Sequence, residues 1–420
     1  MPAPTPHRVI TAVDDLASDA TALLQQLVRT PSLTGAEEAA QLVVASFMRE
    51  IGLDVDVWEP DPRELAPYAE HVGEFETMAG RPNVVGKWTG SGHGKSLILN
   101  GHIDTVEPGV REQWDVDPFS GELRDGRVIG RGSLDMKAGV VANLLAAAAL
   151  RNAGWEPRGD LIVESVISEE DGGAGALATI LRGYTADACI ITEPTALDLV
   201  IAQGGSLVFR IHVAGKSAHG AARNEGESAF EHFLPIYEEL VALEVARNRT
   251  LDHPLYAEIE NKIPINVGVI QSGAWPSSVP DWLIAEGRAG LVPGETLEGF
   301  KAEFVAAVMK ATARDPWLAE HPPRVEWFSG QFAPSEIAAE HALVTEVSAA
   351  HRIVTGHTPS IRGVTYGADM RHFVNIAGIP CLMYGADHVE GAHAPNESVA
   401  IDDMLTCAKT IALVALEWCA

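Results

Sequence analysis

Two stretches decide the fold of this chain: Ser96-Leu97-Ile98-Leu99-Asn100-Gly101-His102-Ile103-Asp104-Thr105-Val106, and Gly130-Arg131-Gly132-Ser133-Leu134-Asp135-Met136-Lys137, which runs straight into a helix. A short apolar run bounded by glycine reads as a buried strand. Residues two apart on a strand point the same way, so His102 and Asp104 share a face. That placement suits a metal-binding imidazole whose other ring nitrogen is held by a carboxylate. Asp135, at the mouth of the helix, would add a carboxylate from the opposite side. Taken alone, the same residues read more readily as a buried, hydrogen-bonded histidine and a helix N-cap.

Outward from this centre, strand and helix alternate. Helices are predicted over 11–30 and 37–50, strands over 53–58 and 83–88, and a well-buried helix over 136–150. Strands follow over 160–168 and 189–192, with a helix over 176–181 between them. This alternation implies an α/β fold, a mixed and mostly parallel sheet with helices on both faces. Sites in such sheets lie beyond the carboxyl ends of the strands, where His102, Glu169 and Glu193 all stand.

Near Gly204 the pattern changes. Leu207, Phe209, Ile211 and Val213 alternate with Val208, Arg210 and His212, as in a half-exposed strand. A helix follows with Phe230, Phe233, Leu234, Tyr237, Leu240 and Val241 assigned to one face and a kink expected at Pro235. Strands over 265–271 and 282–288, a helix over 296–313 and a strand over 324–328 complete a βαββαβ two-layer sandwich. The expected division is a catalytic domain formed by 1–204 and 331–420, with 205–330 inserted as a lid and dimerisation domain; the strand over 379–384 should rejoin the main sheet.

Bulk composition narrows the function. The chain has 420 residues, 46% of them hydrophobic, and a formal net charge of −28. So acidic a surface disfavours nucleic acid and anionic membranes as partners. The four cysteines, Cys189, Cys381, Cys407 and Cys419, are scattered without a C-x-x-C pair, which argues against a disulfide framework or a thiolate zinc site. No signal-peptide core or membrane span is legible, and a cytoplasmic location is expected. Gly130-Arg131-Gly132 lacks the third glycine of a dinucleotide fingerprint and the Gly-Lys-Ser/Thr of a P-loop, which sets a nucleotide enzyme aside.

The chemistry gathers in two further segments. On a regular strand Glu169 and Glu170 would face opposite ways. Here Asp171-Gly172-Gly173 ends the strand in a turn, so that one carboxylate can bind a metal while the other stays a free base. Near the C-terminus, Gly391-Ala392-His393-Ala394-Pro395-Asn396-Glu397 places a histidine in a loop able to reach the same sheet edge; His388 is a competing candidate. His102, Asp135, Glu170, Glu193 and His393 form a set of two imidazoles and three carboxylates suited to two first-row divalent ions, zinc foremost, with Co2+ or Mn2+ as substitutes. Asp135 would bridge, with His102 and Glu193 on one ion and Glu170 and His393 on the other. Glu169 is then the general base. A non-catalytic solute or metal binder would have no use for Glu169.

With Gly101-His102-Ile103-Asp104, Arg131-Gly132-Ser133-Leu134-Asp135, Ser168-Glu169-Glu170-Asp171-Gly172-Gly173, Thr192-Glu193-Pro194-Thr195 and His393-Ala394-Pro395-Asn396-Glu397 in this order, the chain resembles the dizinc aminoacylase, acetylornithine deacetylase, succinyl-diaminopimelate desuccinylase and glutamate carboxypeptidase family. The resemblance runs over essentially the whole chain and implies the ligand roles above, with Asp104 orienting His102. It implies hydrolysis of a small N-acyl amino acid or N-acyl amine, Glu193-Pro194-Thr195 being most like the acetylornithine deacetylase branch. Dipeptidase, carboxypeptidase and N-formyl-amine deformylase activities are the alternatives.

It also implies a homodimer through the inserted domain, and that His219, in Gly215-Lys216-Ser217-Ala218-His219-Gly220, stabilises the oxyanion in the neighbouring subunit's site. One departure stands out. Where many members carry an arginine that binds a substrate carboxylate, Arg288-Ala289-Gly290-Leu291-Val292-Pro293 has Gly290. Arg288, Asn266 and Gly363 are the substrate-contact candidates that remain.

Overall fold

The computed structural model describes residues 3–420. The chain divides into two compact units, one comprising the chain up to Ala202 with Glu336–Arg362 and Ala368–Ala420, the other Gln203–Ser335 with Gly363–Gly367. The second unit thus takes in residues on both sides of the boundary expected at 330, and a short segment the sequence assigned to the first. The reason is local pairing: Ser206 and Phe332 exchange main-chain hydrogen bonds at 2.8 and 2.9 Å, and Gly204 N donates to Val364 O at 2.7 Å.

The first unit is built on a sheet in which the strand Leu97–His102 lies between Leu161–Val166 and Ala188–Ile191, parallel to both. Cys381–Met383 continues the parallel run beside Ala188–Ile191, as the sequence implied. Asn83–Trp88 and Asp54–Trp58 extend the other side antiparallel. The first three of these strands are buried along their whole length, which matches their unbroken apolar character. His102 ends its strand, and Glu169, Glu193 and His393 lie in the segments that leave the carboxyl ends of the next three.

Helix Ala138–Asn152 is buried over almost every residue, its alanine-rich surface packing closely on all sides. Its close approach requires Gly139, where a Cβ would stand 2.2 Å from Thr192 O. The same contact fixes the turn that carries Glu193. The single helix expected over 11–30 is two, Pro6–Asp15 and Ala17–Arg29, joined at Leu16. The first begins earlier than its apolar spacing indicates, because Thr5 caps it and Pro6 supplies a preset φ.

The second unit has a four-stranded antiparallel sheet in the order Ile265–Ser272, Trp282–Leu291, Gly205–Ala214, Arg324–Trp327, with helices Ala229–Thr250 and Leu297–Thr312. Leu207, Phe209, Ile211 and Val213 turn inward onto Phe233, Leu240, Phe300 and Phe304, and the Phe209 and Phe304 rings meet at 4.6 Å. Helix Ala229–Thr250 remains helical through Pro235. Its apolar residues do not share one face: Phe233, Ile236 and Leu240 are buried, whereas Phe230, Leu234, Tyr237 and Val241 are about half exposed. Apolar spacing on both sides of a helix cannot separate these two faces.

Candidate active site

Five side chains from five separate segments converge in the first unit. Asp135 lies just before helix Ala138–Asn152, with φ −115 and ψ 98, outside helical geometry. Its two oxygens part company. Oδ1 is 3.1 Å from His102 Nε2, while Oδ2 is 3.3 Å from His393 Nε2. Glu193 Oε1 lies 3.7 Å from the same nitrogen of His102, and Glu170 Oε1 lies 3.0 Å from that of His393. A ligand atom from each of His102, Asp135 and Glu170 falls within 4.8 Å of the others. His388, by contrast, is exposed and faces Glu390 at 3.9 Å, away from the cluster.

Asp104 serves the site in a different way from the one expected. His102 Nδ1 faces the main-chain carbonyl of Asp104 at 3.0 Å, with the carboxylate farther away at 3.6 Å. The carboxylate accepts instead from the N–H groups of Glu169 and Glu170, at 3.2 and 3.1 Å, and from Thr34 Oγ1 at 3.2 Å. It therefore holds the glutamate turn while its own main chain orients the imidazole.

Three more groups secure that turn, none of them evident in the sequence. Arg81 is paired in a fork with Glu37, Nη2 to Oε1 at 2.7 Å, and reaches Asp171 at 3.5 Å. Arg371, itself buried, donates to Gly172 O at 2.7 Å and to Ala368 O at 2.7 Å. Asp369 is packed beneath Gly173, where a Cβ would stand 2.2 Å from its Oδ1.

The electrostatics are those of a site short of positive charge. Burial raises the carboxyl of Glu193 to about 8. Burial also raises Glu169 well above the usual carboxylate range, with Asp369 adding to it. Hydrogen bonds donated to Asp135 and Glu170 carry His393 up to about 10. Burial works against a charged His102, yet Asp135 and the charges of Glu193 and Asp104 outweigh it and raise the imidazole well above its ordinary value. Two imidazoles and three carboxylates that face one another and draw in protons are a donor set for divalent cations. The residues present thus fit a divalent metal site.

The remaining candidates lie in the second unit. Arg288 is engaged there, with Nε on Ser206 Oγ at 2.9 Å and Nη2 3.4 Å from Thr365 O. It pairs across the strands with Asn266. At Gly290 a Cβ would come within 3.1 Å of Ile263 Cα, so the backbone leaves little space for a side chain there. Gly363 packs against the ring of Tyr256. His219 is exposed on its loop, with Nδ1 accepting from Ala221 N at 3.1 Å.

Comparison with known proteins places the chain among hydrolases of amide bonds. The chain is 31% identical over 409 residues to an N-formyl-4-amino-5-aminomethyl-2-methylpyrimidine deformylase of Bacillus subtilis, covering 91% of this chain and 89% of the relative. It is 28% identical to a succinyl-diaminopimelate desuccinylase of Bordetella avium, covering 90% of this chain and 93% of that protein. Its fold is similar to that of a di-peptidase from Saccharomyces cerevisiae, with a TM-score of 0.77 at 14% identity over 99% of this chain and 98% of the other. A family model described as peptidase family M20/M25/M40 matches residues 98–417. The chain belongs to that family, and is a metal-dependent hydrolase of amide bonds.

Proposed function

We propose that this enzyme hydrolyses a small linear N-acyl amine whose amine half carries no α-carboxylate, a formyl amide foremost. The observation that carries the catalytic part is the division of Asp135, one oxygen toward His102 and the other toward His393. Two zinc ions, with Co2+ or Mn2+ as substitutes, would be held by His102, Asp135 and Glu193 on one side and Asp135, Glu170 and His393 on the other, supplying a polarising charge at the amide carbonyl and acidifying water. Glu169, raised in proton affinity and next to a ligand but free of that role, accepts the proton of the attacking water and passes it to the departing nitrogen. Water and amide thus become a carboxylic acid and an amine. Asp104 keeps Glu169 and Glu170 in register.

Two observations support the substrate reading. Gly290 stands where a carboxylate-binding arginine is expected, and Arg288 is engaged with Ser206 and Thr365. The deformylase relative acts, by its name, on an N-formylated aminomethylpyrimidine. An acetylated or succinylated amino acid is the second reading, favoured by the desuccinylase relatives.

The assembly proposed is a homodimer through the second unit. Phe230, Leu234, Tyr237, Val241 and Val245 form an exposed apolar stripe, and strand Ile265–Ser272 is a sheet edge with Val269 and Ile270 exposed. His219 is then a candidate oxyanion donor to the neighbouring subunit. The proposed location is the cytoplasm; the four cysteines are free and buried.

The test is a panel of formyl, acetyl and succinyl amines, each with and without an α-carboxylate, together with dipeptides, assayed with the native chain and Glu169→Gln. The variant should bind metal normally and lose roughly 10²–10⁴-fold in turnover. Unchanged turnover would remove Glu169 as the base. A strict requirement for the carboxylate would transfer the assignment to N-acyl amino acids.

A further inference from the structure

Glu397 closes the last of the sequence motifs and has no part in the ligand set, yet its carboxylate is buried to 2% exposure. Oε1 accepts from the main-chain N–H groups of Leu134 and Asp135, at 3.0 and 3.2 Å. Oε2 accepts from Arg131 Nη1 at 2.5 Å. Arg131 is equally buried, and its guanidinium lies 5.4 Å from the Trp114 ring centre. One carboxylate therefore spends its hydrogen-bonding capacity on the turn that presents Asp135.

The main chain repeats the connection. Gly130 N donates to Glu397 O at 2.8 Å, and the strand Ser398–Ala400 pairs antiparallel with Arg127–Ile129. His393 lies only four residues before Glu397, and Asn396 Oδ1 accepts from Asp115 N at 2.8 Å between them. The end of the loop from His393 to Glu397 is thus fastened to the Gly130–Asp135 turn through both the side chain and the main chain of Glu397, and Asn396 ties it to Asp115.

We propose that Glu397 is a positioning residue, with Arg131 as its counter-charge, that sets the orientation of Asp135 relative to His393 and so couples the two halves of the metal centre. Asp135 can divide its oxygens only while its main chain keeps the non-helical conformation in which both N–H groups, its own and that of Leu134, point at Glu397. Arg131 holds the other oxygen of the carboxylate in a dry position, and a charge-assisted pair of this kind is shorter and stronger than a neutral hydrogen bond, so it fixes the direction in which Oε1 meets the two N–H groups. Partners behind a metal ligand of this kind typically govern affinity by 10–100-fold.

The inference rests on the two-cation reading, and the experiment separates the two. Zinc binding is measured by competition with a chromophoric chelator, and the Co2+ form is examined by visible absorption, for the native chain, Glu397→Gln and Arg131→Lys. Melting of the metal-free proteins is followed in parallel. Glu397→Gln keeps the size but must turn its NH2 group, a donor, toward either Arg131 or the N–H groups of Leu134 and Asp135, all of them donors, so at least one ion should bind about 10–100-fold more weakly. The Co2+ band should shift, and the metal-free melting temperature should fall by far less than the affinity loss implies. Arg131→Lys, which keeps the charge and loses the planar fork, should lie between the two. Native affinity and an unaltered Co2+ spectrum in Glu397→Gln would overturn the proposal, as would a collapse in metal-free stability with affinity intact, the mark of a purely structural brace. A native chain that binds no divalent ion would overturn the two-cation reading itself.

Discussion

Replacing Glu164 with glutamine should stabilise the protein at alkaline pH and leave it nearly unchanged at acid pH. Glu164 lies on strand Leu161–Val166, opposite Asn100, and is fully buried. Its Oε2 accepts from Asn100 Nδ2 at 2.9 Å and Thr179 Oγ1 at 3.2 Å, whereas Oε1 has no hydrogen-bond partner among the described residues. Burial pushes its carboxyl up to about 8, the bonds from Asn100 and Thr179 recovering only part of the shift. The folded value exceeds the unfolded one, near 4.5. Between the two the native state holds a proton that the unfolded chain lacks, so stability is full below about 4.5 and declines as pH rises to about 8. Each unit is worth about 1.4 kcal/mol, which makes the whole interval roughly 3–5 kcal/mol. Glutamine is uncharged throughout and matches the protonated acid in shape. Melting curves of both proteins from pH 5 to pH 8.5 should therefore diverge, the variant melting higher at the alkaline end. A difference independent of pH would refute the reasoning, since it would mean that no proton is held at this position.

Glu37→Gln should cost about 3–5 kcal/mol, because it strands the buried Arg81 guanidinium and loosens its hold on Asp171. Denaturant unfolding checks the stability, and turnover should fall with it, since Asp171 belongs to the turn that carries Glu169. Gly173→Ala places a Cβ 2.2 Å from Asp369 Oδ1 at φ +74. Steric overlap and left-handed strain together should cost on the order of 2–5 kcal/mol and reduce turnover sharply, a melting scan and activity assay being sufficient to test it.

The parts of the molecule that could be read from sequence are those in which the signal is local. Leu97–His102 and Ala188–Ile191 are apolar runs ended by polar residues, and parallel strands put such ends on one edge. That is why His102, Asp135, Glu170, Glu193 and His393 could be grouped before any coordinates. Helix Ala229–Thr250 marks where local reading fails. An apolar residue facing the core and one facing solvent have the same period, and only the sheet beneath separates Phe233 from Leu234. Long-range pairings were out of reach for a different reason. Arg371 finds Gly172 across 199 positions and Arg131 finds Glu397 across 266, and nothing near either arginine specifies its partner. Asp104 misled in a subtler way: period-two geometry gave the correct face but not which of its oxygens meets His102.

The arrangement of charge explains why these braces matter. Asp104, Asp135, Glu169, Glu170 and Glu193 lie together with two imidazoles, and every arginine named near them is directed elsewhere. Arg81 is on Glu37, Arg131 on Glu397, and Arg371 on the carbonyls of Gly172 and Ala368. Had any of these guanidinium groups turned onto Asp135 or Glu170, a bidentate pair would have satisfied the carboxylate and removed it as a ligand. By fixing the turns from behind, the arginines keep the proposed ligand oxygens in place without neutralising them. The deficit is then met by protons on His393, raised by Asp135 and Glu170, and on Glu193, raised first by burial, or by cations from solution. Protons and metal ions compete for the same nitrogen and oxygen atoms, so metal affinity weakens as the medium becomes more acidic. The negative charge that burial resists is thus the same charge that suits the site to divalent cations.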